Sequence, residues 1–307
     1  MKIILDCDPG HDDAIALMLA LASPEIELLG VTTVHGNQTL PKTTINALKL
    51  LEFVGRTEIP VAAGADRPFQ REPYVAAYVH GESGMDGPTL PQPTGTPIDR
   101  HAVDFIAETV LASAEPVTLV PTGPLTNIGL FLALHPEAAA RVERIVLMGG
   151  AIGEGNVTPA AEFNIWCDPE AADRVFSSGL DVTMIGLDVT HKAIVGPAHT
   201  EQLRASGRVG AMVGELLDFY GRFHRETYGW DGSPIHDAVA LAHSFRPGIV
   251  QTVRTGVRVD CDGGLGRGRT NVDLYGRMGW EANAEVAVDI DAGGFVELLL
   301  ERIASLG

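Results

Sequence analysis

An α/β fold, with an open and mainly parallel sheet covered by helices on both faces, is predicted by three observations. β-rich apolar runs alternate with helical patterns through most of the chain, and that alternation builds parallel sheets buried on both sides. At 307 residues and 45% hydrophobic content, the chain has ample material for a large core. The stretches richest in chemically useful side chains each follow a candidate strand directly, and ligands of such sheets bind beyond the carboxyl ends of the strands.

The elements follow in order. Apolar runs at Ile3–Leu5, Ile26–Val34, Ile59–Ala63, Val117–Val120, Ile145–Met148 and Val182–Leu187 read as strands. Between them, patterns at Asp12–Leu21, Lys42–Val54, Ala102–Leu111, Thr126–Leu134 and Pro169–Ser177 read as helices. Added strands are expected at Val253–Val259, Asn271–Tyr275 and Glu285–Asp289, with a closing helix from Gly293 to Ile303. Two Gly/Pro-rich segments, Arg67–Asp99 and Thr227–Pro234, read as flaps bordering a pocket, because loops longer than ~12–15 residues are usually functional or disordered. Neither an internal repeat nor a domain boundary emerges, so residues 1–307 are expected to form a single domain.

A formal net charge of -18 argues against nonspecific binding to nucleic acid or to an anionic membrane, both of which need clustered Lys and Arg. A small neutral or cationic ligand fits better. Three cysteines, Cys7, Cys167 and Cys261, show no CxxC spacing and suggest neither a disulfide framework nor a thiolate zinc site. Met1-Lys2 runs straight into the first strand without a signal-peptide pattern, and no apolar stretch approaches the ~20 residues of a membrane span. A cytoplasmic protein is expected.

Asp6, Asp8, Asp12 and Asp13 lie where the first strand gives way to the first helix. Carboxylates this close raise one another's pKa unless a cation or a shared proton sits among them, so the segment reads as a hard-metal site. Complementing a helix dipole would account for Asp12 and Asp13 but not for Asp6 and Asp8. A calcium loop of the EF-hand type fails, because Gly10 arrives one place early and Leu17 stands where a bidentate Glu belongs. Asp6-x-Asp8 also resembles the start of haloacid-dehalogenase-like phosphatases, which usually carry Thr or Val where this chain has Gly10. They need a cationic group for phosphate, yet Lys192 is the only lysine beyond Lys49.

Asp6-Cys7-Asp8-Pro9-Gly10-His11-Asp12-Asp13 resembles the amino-terminal signature of the inosine-uridine-preferring nucleoside hydrolases. Further matches follow in family order: Gly36-Asn37, His80-Gly81-x-x-Gly84-Met85-Asp86-Gly87, Thr122-Gly123-Pro124-Leu125-Thr126-Asn127, Asn156, Glu162-Phe163-Asn164, Asp168-Pro169-Glu170-Ala171, His236-Asp237, and Gly266-Arg267-Gly268-Arg269-Thr270-x-Val272-Asp273. The resemblance spans nearly the whole chain. It implies an open, Rossmann-like sheet and calcium-dependent hydrolysis of the N-glycosidic bond of purine or pyrimidine ribonucleosides, in salvage.

The resemblance implies that Asp8, Asp13, Asp237 and the backbone carbonyl of Thr122 hold Ca2+, an all-oxygen set of the kind calcium prefers. It assigns Asp8 to accept the proton of the attacking water. Asp12, Asn37, Asn156, Glu162 and Asn164 match the sugar-binding positions, and Met148, after the strand at Ile145–Met148, is placed beside them. A site built to hydrogen-bond a hydroxyl rejects an analogue lacking it by up to roughly 10⁴–10⁵, so 2′-deoxynucleosides should be poor substrates. His80 and His236 match histidines that face the base, and His236, beside Asp237, is the better proton donor. Phe163, Tyr220 and His224 should surround the base, with Tyr228 closing over it; Tyr220 and His224 are spaced to share a helix face. Some members carry a second tyrosine where His224 aligns, which leaves the preferred base open. The two histidines tilt it toward pyrimidine or mixed preference. Homodimers or homotetramers are usual in the family. Another N-riboside, such as nicotinamide riboside, would present the same ribose to the same residues.

Overall fold

The computed structural model describes residues 1–307. Twelve strands occur: β1 (Lys2–Cys7), β2 (Glu27–Thr33), β3 (Val61–Ala63), β4 (Val117–Pro121), β5 (Val142–Met148), β6 (Val182–Ile185), β7 (Ile194–Val195), β8 (Ser233–Pro234), β9 (Val250–Thr255), β10 (Val257–Val259), β11 (Thr270–Val272) and β12 (Ala284–Ile290). Eight of them form the main sheet in the order β3-β2-β1-β4-β5-β6-β12-β9. All neighbours run parallel except β12 and β9.

Alternation along β1 divides the core. Ile3, Leu5 and Cys7 point into the larger apolar cluster, shared with the helices His11–Ala22, Leu40–Val54, Arg208–Tyr228, His236–Phe245 and Ala292–Ala304. Ile4 points into the second cluster, beneath the helices Ala102–Ala112, Thr126–Leu134 and Pro169–Phe176. Helices therefore cover both faces, as the alternating sequence requires.

The sheet order reverses between β1 and β4: β2 and β3 extend to one side, β4, β5 and β6 to the other. A crevice opens outside the carboxyl ends at such a reversal. Asp8 follows β1 and Thr122 follows β4, so the geometry of the sheet brings them together.

The expected elements differ from the observed ones at three places. Val253–Val259 is not one strand: Gly256 separates β9, paired with β12, from β10, paired with β11. A side chain at Gly256 would lie 2.7 Å from Trp280 Cβ, so the chain changes partners where only glycine fits. The run Val182–Leu187 ends at Ile185, and Leu187 opens the short helix Leu187–Thr190. The strand expected over Asn271–Tyr275 is Thr270–Val272, after which Tyr275 is 80% exposed. The segment Arg67–Asp99 is less open than its composition suggests, since Ala76, His80 and Met85 are buried.

Candidate active site

A cleft opens at the reversal point, lined by both polar and apolar side chains, as small-molecule sites are. Its walls include Asp12, Asn37, His80, Thr122, Met148, Asn156, Glu162, Phe163, Asn164, Tyr220, His224, Tyr228, His236 and Asp237. Of the aspartates expected from sequence, Asp6, Asp8 and Asp13 do not line it; Asp8 and Asp13 lie in its floor, 0% and 1% exposed.

The floor is built by two helix starts and two loops. Asp12 and Asp13 occupy the first turn of His11–Ala22, and Asp237 the first turn of His236–Phe245. The carboxylates of Asp12, Asp13 and Asp237 each offer an oxygen within 4.8 Å of the others. This tight trio contains Asp12, where the expected ligand set has Asp8. Asp8 stands beside it: its Oδ2 accepts the Asn37 backbone N–H at 2.6 Å, and its Oδ1 is buried with no hydrogen-bond partner. Asp13 is the best-held member, accepting from Thr122 Oγ1 at 2.8 Å, Gly10 N–H at 3.0 Å and Asn37 Nδ2 at 3.0 Å. The Thr122 carbonyl accepts Asn164 Nδ2 at 2.7 Å, which ties the helix Phe163–Cys167 to the end of β4.

Backbone reaches this floor closely because glycine permits it. A side chain at Gly36 would lie 2.0 Å from Asp8 Oδ2, and one at Gly10 would lie 2.6 Å from His80 Nδ1.

Burial pushes the Asp8 and Asp237 carboxyls well above the ordinary range, and the Asp13 carboxyl upward. It pushes Asp12 up to about 8. Acids this dry and this crowded keep their charge only against a cation. The orphaned Asp8 Oδ1 and the exclusively oxygen donor set fit a hard divalent metal ion.

Around the floor, Glu162 caps the helix Phe163–Cys167, its Oε1 accepting Asn164 N–H and its Oε2 accepting Gly150 N–H, both at 2.9 Å. Burial raises its carboxyl to about 7. Asn156 Oδ1 accepts Phe163 N–H at 2.9 Å, so this loop residue is structured by the same turn. On the opposite wall Tyr220, His224 and Tyr228 descend one face of the Arg208–Tyr228 helix. His236 Nδ1 lies 2.7 Å from Thr190 Oγ1, and burial holds its ring well below the usual histidine pKa.

Sequence reasoning missed Tyr78, His191 and Phe223, which also line the cleft. Phe223 lies three residues from Tyr220 on a helix, and that spacing alone could have found it. His191 sits past β6 on a helical turn whose presence the apolar run concealed. No helix is long and apolar enough to cross a membrane.

The model of the family described as "inosine-uridine preferring nucleoside hydrolase" matches residues 3–297. The chain is 52% identical over 305 residues to the pyrimidine-specific ribonucleoside hydrolase RihA of Escherichia coli O8, covering 99% of this chain and 98% of that protein. Its structure superposes on a purine-preferring ribonucleoside hydrolase from Gardnerella vaginalis with a TM-score of 0.94 at 36% identity, covering 100% and 99% of the two chains. A plant nucleoside hydrolase, PpNRh1, superposes with a TM-score of 0.93 at 36% identity and 99% coverage of each. With the matching signature lying around one carboxylate-floored cleft, the chain belongs to the inosine-uridine preferring nucleoside hydrolase family and is a ribonucleoside hydrolase.

Proposed function

We propose that this enzyme hydrolyses pyrimidine ribonucleosides to ribose and free base, with calcium as its metal ion. The observation that carries the reading is Asp8 Oδ1, buried and unpartnered in the floor of a cleft whose walls match the family's ribose-binding residues. Asp8, Asp13, Asp237 and the Thr122 carbonyl would hold the ion, with Asp12 adjoining. Calcium held there would supply positive charge that offsets the carboxylates and would acidify a nearby water molecule.

The protein's own groups then divide the work. The Asn37 N–H holds Asp8 Oδ2, which leaves Oδ1 to accept a proton as water attacks the anomeric carbon. As the C–N bond breaks, positive charge grows on the ribose ring. The side chains of Asp12, Asn37, Asn156, Glu162 and Asn164 orient the ribose, and their oxygens stabilise that charge. Phe163, Met148, Tyr220, His224 and Tyr228 enclose the base. With the Thr190 hydroxyl donating to His236 Nδ1, the ring proton would sit on Nε2 and hydrogen-bond the departing base. Because burial favours the neutral ring, His236 serves as an N–H donor rather than a standing cation.

Pyrimidine preference is supported by the 52% identity to a pyrimidine-specific hydrolase. Three free cysteines, two of them buried, support a reducing cytoplasm. We place the enzyme in nucleoside salvage, as one domain over residues 1–307 and as a homodimer or homotetramer.

The test is ribose release from uridine, cytidine, inosine, adenosine and guanosine, with chelator and then with calcium restored. Calcium-restored release, fastest from the pyrimidines, is expected; no release from any of them despite added calcium overturns the reading. Asp8→Ala should abolish turnover while the fold survives. Near-wild-type hydrolysis by that variant would rule out Asp8 as proton acceptor.

A further inference from the structure

Arg71 lies outside the cleft and takes no part in the scheme above, yet it ties the flap Arg67–Asp99 to the helix that carries Phe163 and Asn164. Its Nη1 donates to the backbone carbonyl of Trp166 at 2.7 Å, and its guanidinium carbon lies 4.0 Å from the centroid of the Trp166 ring. Trp166 is the next-to-last residue of the helix Phe163–Cys167. A carbonyl in the last turn of a helix has no partner within that helix, so Arg71 supplies the missing donor. Trp166 itself has no room to retreat. A side chain at Gly268, which has a φ of 82°, would lie 2.7 Å from Trp166 Cα, so the loop between β10 and β11 packs directly against its backbone. The Gly266–Asp273 motif thereby backs the residue that Arg71 grips.

The stretch that follows Arg71 has little else to hold it. No backbone group of Glu72, Pro73, Tyr74 or Val75 is hydrogen-bonded to another backbone group. Tyr74 adds an edge contact to the Trp166 ring at 5.1 Å between centroids and lies 6.4 Å from the Phe163 ring. Before the stretch, Phe69 N–H donates to Asp168 Oδ2 at 3.0 Å; after it, Ala76 N–H donates to the Asn37 carbonyl at 3.2 Å. From there the flap brings Ala76, Tyr78, Val79 and His80 to the cleft. The residues facing them from the helix Phe163–Cys167 are held in another way. Asn164 Nδ2 donates to the Thr122 and Met148 carbonyls, and the Glu162 carboxylate accepts the N–H groups of Gly150, Asn164 and Ile165. None of these bonds passes through the flap, so two separate sets of contacts fix the two sides.

Resting on the nucleoside hydrolase reading, we propose that Arg71 is a positioning residue for base recognition: it clasps the flap to Trp166 and so fixes the approach of residues 76–80 to the base. Releasing the clasp loosens the flap side of the cleft while Glu162 and Asn164 keep their places. Binding of a whole nucleoside then weakens, because the flap no longer closes on the base. Binding of free ribose, which meets the Glu162 and Asn164 side and the floor, does not change. The clasp is one charge-assisted hydrogen bond from a half-buried side chain, so an effect of about 3–10-fold is expected.

The test uses the full chain with calcium added and the variant Arg71→Met, which keeps a long apolar stem against the Trp166 ring but has no donor. Hydrogen–deuterium exchange read by mass spectrometry, without substrate, should show the amides of residues 76–80 exchanging about 3–10-fold faster than in wild type, with β1 and β4 unchanged. Unchanged exchange over residues 76–80 overturns the clasp. An equal rise in β1 and β4 overturns it as well, because the loss is then global. In parallel, KM for the best nucleoside should rise about 3–10-fold with kcat nearly constant, while the inhibition constant of free ribose holds. A ribose constant that rises in step with KM, or a KM that does not move, overturns the link to base recognition. Absence of hydrolysis from every nucleoside would sink the function proposed above, and the exchange measurement, which needs no substrate, would still decide the clasp.

Discussion

Asn127 shows how a single buried amide holds the seam beside the cleft. Its Nδ2 donates to Asp6 Oδ1 at 2.8 Å and to the Thr33 carbonyl at 3.0 Å, while its Oδ1 accepts Ala65 N–H at 2.8 Å. Three chain segments are tied by one side chain with no exposure. Asn127→Ala would strand buried partners that cost about 1–3 kcal/mol apiece, so a loss on the order of 3 kcal/mol is expected in urea unfolding. A change below ~1 kcal/mol would mean that water replaces the amide. The same contacts hold Oδ1 of Asp6, which the sequence groups with Asp8, Asp12 and Asp13, while its Oδ2 is buried without a partner and burial lifts the carboxyl to about 7. Thr32 Oγ1 and Asn127 both donate to its Oδ1, and it does not line the cleft. Asp8, Asp12 and Asp13 were legible because strand, turn and helix follow one another within a few residues. Asp6 and His11 were not, because their partners lie 26 to 121 residues away in the chain.

At the level of elements, the alternation of strands and helices was readable from β1 to β6, where long apolar runs leave little choice, while the helices Pro197–Arg204, Arg208–Tyr228 and His236–Phe245 between β6 and β12 stood outside the expected series. It failed where a strand changes partner, at Gly256, and where a flap is held by a few buried side chains rather than by pattern. Two elements lend themselves to tests. The loop after β2 carries Gly36 against Asp8, and Gly36→Ala would force a methyl group to 2.0 Å from Asp8 Oδ2. The loop or the carboxylate must shift, so kcat should fall by at least about 10²-fold, as ~1 Å misplacements do, with a smaller change in Tm. Retained kcat would show that the loop relaxes without moving Asp8. The helix Arg208–Tyr228 ends at a left-handed Gly229, beyond which Trp230 stacks on Tyr228 at 4.6 Å. That pair closes the outer end of the cleft wall, 37% of Tyr228 remaining exposed. Tyr228→Ala should therefore raise KM by roughly 3–10-fold with little change in kcat, the signature of lost uniform binding. A fall in kcat alone would instead place Tyr228 in the transition state.

For the molecule as a whole, stability and metal loading are linked through protons. Without a cation, burial lifts Asp12 to about 8 and Glu162 to about 7, with Asp8 and Asp237 higher than usual. An acid whose folded pKa exceeds its unfolded value binds protons more tightly when folded. The stripped protein thus loses stability as pH rises from about 4 through about 8, while ionisation is forced on a dry cluster. Buried His11, His35, His224 and His243, lowered to about 4, act in the opposite sense: their contribution is present above about 6.5 and is lost as pH falls toward 4. The contribution of His243, whose charged neighbour is Arg144, is common to the stripped and loaded protein. The difference between the two forms therefore reports the groups around the ion, the carboxylates together with the buried histidines beside them, whose charged forms a cation also disfavours. The proposed calcium ion would require the carboxylates ionised and release their protons, so the stabilisation it gives should grow with pH. At roughly a thousandfold excess over Kd the gain is about 4 kcal/mol, or on the order of 5–10 °C in Tm for a chain of this size. Melting curves with chelator and with calcium should show that gap at pH 8 and a distinctly smaller one at pH 5. A gap that is equal at both pH values, or wider at pH 5, would mean that the ion does not sit among these carboxylates.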